Sequence, residues 1–276
     1  MSAPLTVSST PSGWTIALVI ARRDLVRFLR QPARVAAAIG TPLLLWLFLG
    51  SGFAGSFRPA GLGDTSYSAF LLPGAMTLVA VFAAIFSSIS IIEDRNEGWL
   101  QAALVSPAPR WSVAMGKILG SSLVSFAQSA VMLLAIPFLH LDVSLGAVGV
   151  TLLALAATSF AMTAMGFIFA WHSETSAAFH AVMNIVFMPM WLLSGAFFPP
   201  APPTSPLESS QGVARGALTW LMQVNPLTWC TQAIRQPMLE GHASEAAMWW
   251  LAAAIMFALV MFAGAVITVS RKARPG

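Results

Sequence analysis

Residues 70–92 read FLLPGAMTLVAVFAAIFSSISII, an apolar run of 23 residues without a charged side chain. A helix rises about 1.5 Å per residue and crosses bilayer hydrocarbon in about 20 mostly apolar residues. This run is therefore long enough to span a membrane. Five further stretches share its character: 35–53, 118–139, 145–171, 177–197 and 248–269. In lipid the backbone must satisfy its own hydrogen bonds, so each stretch is expected to be helical. Composition agrees. The chain is 57% hydrophobic and 9% charged, against about 25% charged in soluble proteins. The expected fold is an all-α membrane protein with six transmembrane helices.

The basic residues set an orientation for those six spans. Arg22, Arg23, Arg27, Arg30 and Arg34 precede the first span, and Arg95, Arg110 and Lys117 lie between the second and third. Arg271, Lys272 and Arg274 follow the last. The opposite side holds Arg58, Arg215 and Arg235. The positive-inside rule then places both termini in the cytoplasm. The net charge of +4 comes mostly from the cytoplasmic flanks. They read as topology signals and anionic-lipid contacts; without interleaved aromatics they do not read as a nucleic-acid surface. Cys230 is the single cysteine, which excludes an intrachain disulfide and a cysteine-based metal cluster. The first apolar run is too long for a secretory signal and lacks a small-residue cleavage site.

Residues 1–13 are rich in Ser, Thr and Pro and read as a disordered tail, and 14–276 as a single transmembrane domain. On a helical wheel, Trp14, Leu18, Ala21, Leu25 and Phe28 share one face of residues 14–34. Arg23, Arg27, Arg30 and Arg34 fall opposite. Such a helix suits the cytoplasmic interface; the plainer alternative is a basic flank of the first span. Pro32 is placed to kink or end it. On the external side, 199–247 opens with Pro199, Pro200, Pro202, Pro203 and Pro206. Within it, 213–224 and 227–239 have helical apolar spacing and are too short to span. They are expected to form short external helices before the last span.

Residues 93–107, EDRNEGWLQAALVSP, carry the sharpest local signal. They read as a short helix, with Glu93 and Glu97 one turn apart and Arg95 on another face. Ser106-Pro107-Ala108-Pro109 stops it, because proline lacks a donor and disfavours helix in the preceding residue. A rigid charged helix just below the bilayer suits docking of a cytosolic partner. A solvated loop is the plainer reading.

The pattern Arg95-x-x-Gly98-Trp99-Leu100, then Leu104-x-Ser106-Pro107, then Gly116-Lys117, resembles the first cytoplasmic loop of type 2 ABC exporter permeases. A second block, Leu193-Ser194-Gly195-Ala-Phe-Phe-Pro199 followed by Asn225-Pro226-Leu227-Thr228 and Arg235, resembles the segment before the last span of that family. Order and spacing match over essentially the whole chain from Arg22 to Arg274. One departure is Gln101, where many relatives carry Glu. A contact made there with an ATPase would be a neutral hydrogen bond in this chain.

The resemblance implies a six-helix permease with an amphipathic N-terminal helix, in a cell inner membrane. It implies pairing across a two-fold axis, a homodimer in the simplest case, with each copy docking a separate ATPase. ATP and Mg would be bound by that partner, and this chain would carry no cofactor, no metal and no catalytic residue of its own. The sequence contains no G-x-x-x-x-G-K-[ST] phosphate loop. By the resemblance, Glu93, Arg95, Glu97, Gly98, Leu100, Gln101, Ser106, Pro107 and Lys117 form the ATPase-coupling element. Ser194, Gly195, Pro199, Asn225, Pro226 and Arg235 form an external cap at the exit.

The remaining polar positions have plain readings. His172, Glu174 and His180 surround one internal turn with poor metal spacing, and His140 and Asp142 sit in an external turn. Gln128 and Asn184 lie inside spans, where interhelical hydrogen bonding is expected. Met183, Met188 and Met190 are common apolar filler. A secondary transporter or channel working without an ATPase is the main rival reading. It would normally show ionisable groups within spans, and span centres here carry none. A membrane enzyme finds no catalytic constellation, and a structural assembly subunit is the remaining rival. A pathway without intramembrane charge points to amphiphilic or hydrophobic cargo.

Overall fold

The computed structural model describes residues 12–53, 65–197 and 210–271. Among them the chain forms ten α-helices: α1 Gly13–Leu29, α2 Pro32–Phe53, α3 Tyr67–Asn96, α4 Trp99–Val105, α5 Arg110–Val131, α6 Leu145–His172, α7 Ser176–Leu192, α8 Ser210–Val224, α9 Pro226–Glu240 and α10 Glu245–Arg271. A 3₁₀ turn, Met132–Leu139, extends α5. Side-chain oxygens start several helices by accepting the orphan N–H groups of the first turn: Ser66 for α3, Ser144 for α6 and Thr175 for α7. Of the expected tail 1–13, residues 1–11 lie outside the described residues. Ser12 caps α1, accepting from the Thr15 amide at 3.2 Å, and Gly13 opens it.

Among the described residues, five helices are long and apolar enough to cross a membrane: Val35–Phe53 in α2, Tyr67–Asn96, Arg110–Leu139, Leu145–His172 and Glu245–Arg271. The expected span 177–197 is instead the shorter apolar helix Ser176–Leu192, of 17 residues. The early stop has a local cause. Gly195 takes φ 74°, a left-handed conformation that glycine adopts without steric cost, and the chain turns at Leu193–Ser194 rather than continuing.

α3 is the axis of the bundle. Nearly all its side chains are buried, from Tyr67 to Asp94, because α2, α5, α6 and α9 all pack against it. Small residues allow these close approaches, as is usual where helices meet without a hydrophobic driving force. A Cβ at Gly74 would stand 2.7 Å from the Cβ of Ala196. Gln128 departs from expectation: it is buried with neither amide atom partnered, so it makes no interhelical hydrogen bond among the described residues. Asn184 is exposed on α7.

The N-terminal helix differs from its helical-wheel reading. Its packed face is Ala17, Ile20, Ala21, Asp24 and Phe28, whereas Trp14 and Leu18 are exposed. Small residues win that face because α1 lies backbone to backbone on α5. A Cβ at Gly116 would meet the Ala17 carbonyl oxygen at 2.7 Å, and one at Gly120 the Ala21 oxygen at 2.8 Å. The helix breaks at Arg30 and Gln31 and Pro32 opens α2, which puts Arg34 on α2.

Candidate functional site

One end of the bundle gathers the charged residues. Asp94 on the last turn of α3 is fully buried. It accepts from Arg23 Nη2 at 2.7 Å, from Arg27 Nη1 at 2.7 Å, and from Lys117 Nζ. Lys117, 2% exposed on α5, also lies 2.9 Å from Asp24 of α1. Arg27 reaches on to Glu93 at 3.2 Å and Glu97 at 3.1 Å. Four carboxylates and three cations from α1, α3 and α5 thus form one knot. Buried charges are tolerable only when paired and hydrogen-bonded in this way. Burial pushes the Asp24 carboxyl up; Lys117 draws it back and Asp94 adds to the rise. Burial works against the Arg27 cation, but Asp94, Glu93 and Glu97 more than offset it and raise its pKa.

The expected stripe of arginines is therefore divided. Arg23 and Arg27 turn onto the carboxylates of α3, while Arg30 faces outwards. Asp24 and Asp94, the centre of the knot, escaped the sequence reading. A usable signal was present: Asp24 shares the helical face of Ala17, Ala21 and Phe28, and an acid on a packed face demands a partner.

α4 hangs from this knot. Gly98 takes φ 78° at its start, with open space around its α-carbon. Beyond that hinge, Trp99 lies under the Arg23 guanidinium at 3.8 Å and within 5.3 Å of Lys117 Nζ. Leu100 is buried beside it, while Gln101 and Ser106 face out and Val105 is 86% exposed. The Ser106 hydroxyl donates to the Ala103 carbonyl at 2.7 Å and ends the helix before the exposed Pro107. Arg95 points the other way: it donates to the carbonyl oxygens of Trp171, at 3.0 Å, and of Ser173, at the end of α6. Arg110 donates to the Ser270 carbonyl at 3.3 Å near the end of α10. Cations at helix C-termini also favour the helix dipole.

The opposite end brings the second block together. Asn225 caps α9, its Oδ1 accepting from the Leu227 amide at 3.0 Å, while Nδ2 donates to the Met190 carbonyl at 2.6 Å. Pro226 occupies the first turn of α9, where its missing donor costs nothing. Thr228 donates to the Leu193 carbonyl at 3.3 Å, and the Ser194 hydroxyl to that of Trp191 at 2.6 Å. Trp191 donates to the Gly74 carbonyl at 3.0 Å. The end of α7 is thus tied to both α9 and α3. Arg235 is buried on α9 over the ring of Phe70. Pro199 lies outside the described residues.

Comparison with known proteins agrees with this arrangement. The family model described as "ABC-2 type transporter" matches residues 16–239, a span that holds both the charged knot and the α7–α9 junction. The chain is 26% identical over 250 residues to a "Putative transport permease ycf38" of Cyanophora paradoxa, covering 88% of this chain and 79% of that protein. It is 29% identical over 185 residues to the protein of the same description from Pyropia yezoensis, covering 59% of this chain and 62% of that one. With long apolar helices, a paired charge cluster at one end and this match over most of its length, the chain belongs to the ABC-2 type transporter family and is a multi-pass membrane permease.

Proposed function

We propose that this permease is the membrane subunit of an ATP-driven exporter and works as a homodimer, with a separate ATPase docked on each copy. ATP and Mg bind that ATPase, and this chain supplies the pathway. α7 acts as the sixth span. Its 17 residues would rise about 26 Å, at the short limit for crossing hydrocarbon. Both termini are then cytoplasmic, in the inner membrane of a bacterial-type cell.

The observation that carries this reading is the placement of α4. It is a short helix with exposed Gln101 and Val105, and it is coupled through Trp99 to the ion pairs that join α1, α3 and α5. Force applied to α4 reaches three helices through charges that cannot separate cheaply. A loosely solvated loop would dissipate it. The dimer is supported by Asn184, which stands exposed on α7 between Met183 and Ile185; a polar amide facing hydrocarbon seeks a partner. The external cap is supported by α8, whose exposed Leu218, Trp220 and Leu221 suit the outer membrane interface.

A cysteine at Gln101 should crosslink to a cysteine in the coupling groove of the candidate ATPase. Glu97→Lys should leave the permease folded and uncouple ATP hydrolysis from transport. Absence of the crosslink together with unaltered coupling would sink the reading. A reporter active only outside the cytoplasm should be silent when fused at Val105 and active at Ser209.

A further inference from the structure

The outer face of α1 carries cations that the charged knot does not use. Arg22 and Arg30 are exposed, and among the described residues neither makes an ion pair. Arg23 and Arg27, held by Asp94, still have 32% and 28% of their side chains open to solvent. An open hollow of about 710 Å³ runs along this face. Among the described residues it is lined by Val19, Arg22, Arg23, Val26, Arg27 and Arg30, with Gln31 at its end. That volume lies within the range of about 300–1,000 Å³ usual for ligand sites. Four guanidinium groups around one hollow select an anion, and their planar donors fit phosphate.

The floor of the hollow narrows the ligand further. Val19, Arg23, Val26 and Arg30 follow one another at helical spacing, so apolar and basic side chains share one face. Val19 is 63% exposed and Val26 40%. An acidic soluble partner would match the cations and leave the valines facing charge. A phospholipid offers an anion for the one and acyl chains for the other. The same helix exposes Trp14, which meets Trp111 of α5 edge to face at 5.1 Å; such aromatic side chains favour the membrane–water interface. We propose that this hollow binds the phosphate head of an anionic phospholipid, with an acyl chain lying over Val19 and Val26. The proposal rests on the permease reading, which puts this end of the bundle at the cytoplasmic surface of the membrane. Arg22 and Arg30 supply the free donors. Arg23 and Arg27 add their charge while they hold Asp94, so the lipid and the knot share two cations.

The test uses the full chain, stripped of lipid in uncharged maltoside micelles and without an ATPase. A null result here therefore leaves the transport reading intact, just as failure of the ATPase crosslink leaves this lipid site intact. Native mass spectrometry reads the affinity for the first bound lipid. A basic side chain at an anionic lipid surface contributes about fivefold in affinity. With two free arginines, dioleoyl phosphatidylglycerol should bind about twentyfold more tightly than dioleoyl phosphatidylcholine. Arg30→Gln should weaken phosphatidylglycerol about fivefold, and Arg22→Gln similarly. Arg271→Gln, which removes the same charge from the exposed end of α10, should leave it unchanged. If Arg30→Gln does not fold, Arg22→Gln makes the same comparison. Equal weakening by Arg271→Gln would reduce the binding to bulk charge attraction. Displacement of the lipid by millimolar inorganic phosphate would make this a free-anion site, and displacement by a polyglutamate peptide a docking face for an acidic protein. Any of these three results, or equal affinity for the two lipids, overturns the proposal.

Discussion

Lys117 Nζ of α5 lies 2.9 Å from the Asp24 carboxylate of α1, with both side chains almost fully withdrawn from solvent. The pair locks the N-terminal helix to the bundle at the level where Gly116 and Gly120 bring the two backbones into contact. Electrostatic and steric complementarity therefore coincide, and α1 behaves as part of the bundle rather than as a helix floating on lipid.

Lys117→Met leaves Asp24 and Asp94 facing each other without their shared cation. Removing one partner of a buried ion pair costs about 3–5 kcal/mol. The expected outcome is a large fall in the unfolding midpoint. Adding Asp24→Asn should restore part of it, and a double-mutant cycle measures the coupling. Additive effects of the two changes would show that the pair does not interact.

The pH dependence of stability should carry the signature of Asp24. Burial holds its folded-state pKa above the ordinary value of 3.8. The folded state then binds the proton more tightly than the unfolded chain, so the contribution of Asp24 to stability falls as pH rises from about 3.8 through the raised value. Wild-type stability relative to Asp24→Asn should decline with pH across that window and level off above it. Chemical-denaturant midpoints from pH 4 to 8 check this; a rising difference would reverse the assignment.

Gly98 should tolerate a side chain in space but not in conformation. Nothing lies within 4 Å of its would-be Cβ, yet φ is 78°. Gly98→Val should cost about 1–3 kcal/mol through backbone strain and misdirect α4, with coupling to the proposed ATPase reduced more than membrane insertion. Gly98→Asn, which visits this region more readily, should retain more coupling.

The two roles of Asn225 can be separated. Asn225→Asp keeps the oxygen that caps α9 and loses the N–H donated to Met190. Asn225→Ala loses both. The cap contributes about 1 kcal/mol, so alanine should be the less stable variant, while both should lower transport if the tie to α7 matters. Full transport by Asn225→Asp would confine the residue to capping.

The sequence by itself determined the class of this protein. Long uncharged runs such as 70–92 have one stable answer in hydrocarbon, because a helix satisfies its own backbone. The stop at Ser106-Pro107 and the short helices before the last span were equally legible, since proline acts through local backbone geometry and apolar spacing marks a helix; the break at Gly98 was not, because 93–107 read as one helix whereas 93–96 end α3 and only Trp99–Val105 form α4. At α1 the wheel named an apolar face but could not name the packed one, because it ranks faces by hydrophobicity and the packed face was chosen by size as well. Gly116 and Gly120, distant in sequence, turn the packed face towards Ala17, so that Ala21 and Phe28 of the apolar face pack while Trp14 and Leu18 stay exposed. Only the tertiary structure could bring Asp24, Asp94 and Lys117 together, or leave Arg235 on α9 with Nε and Nη1 unpartnered among the described residues. A charge in a sequence has a sign but no partner; its partner and its burial depend on how separate helices meet, and those two quantities decide whether it is a surface signal, a structural lock or a binding site.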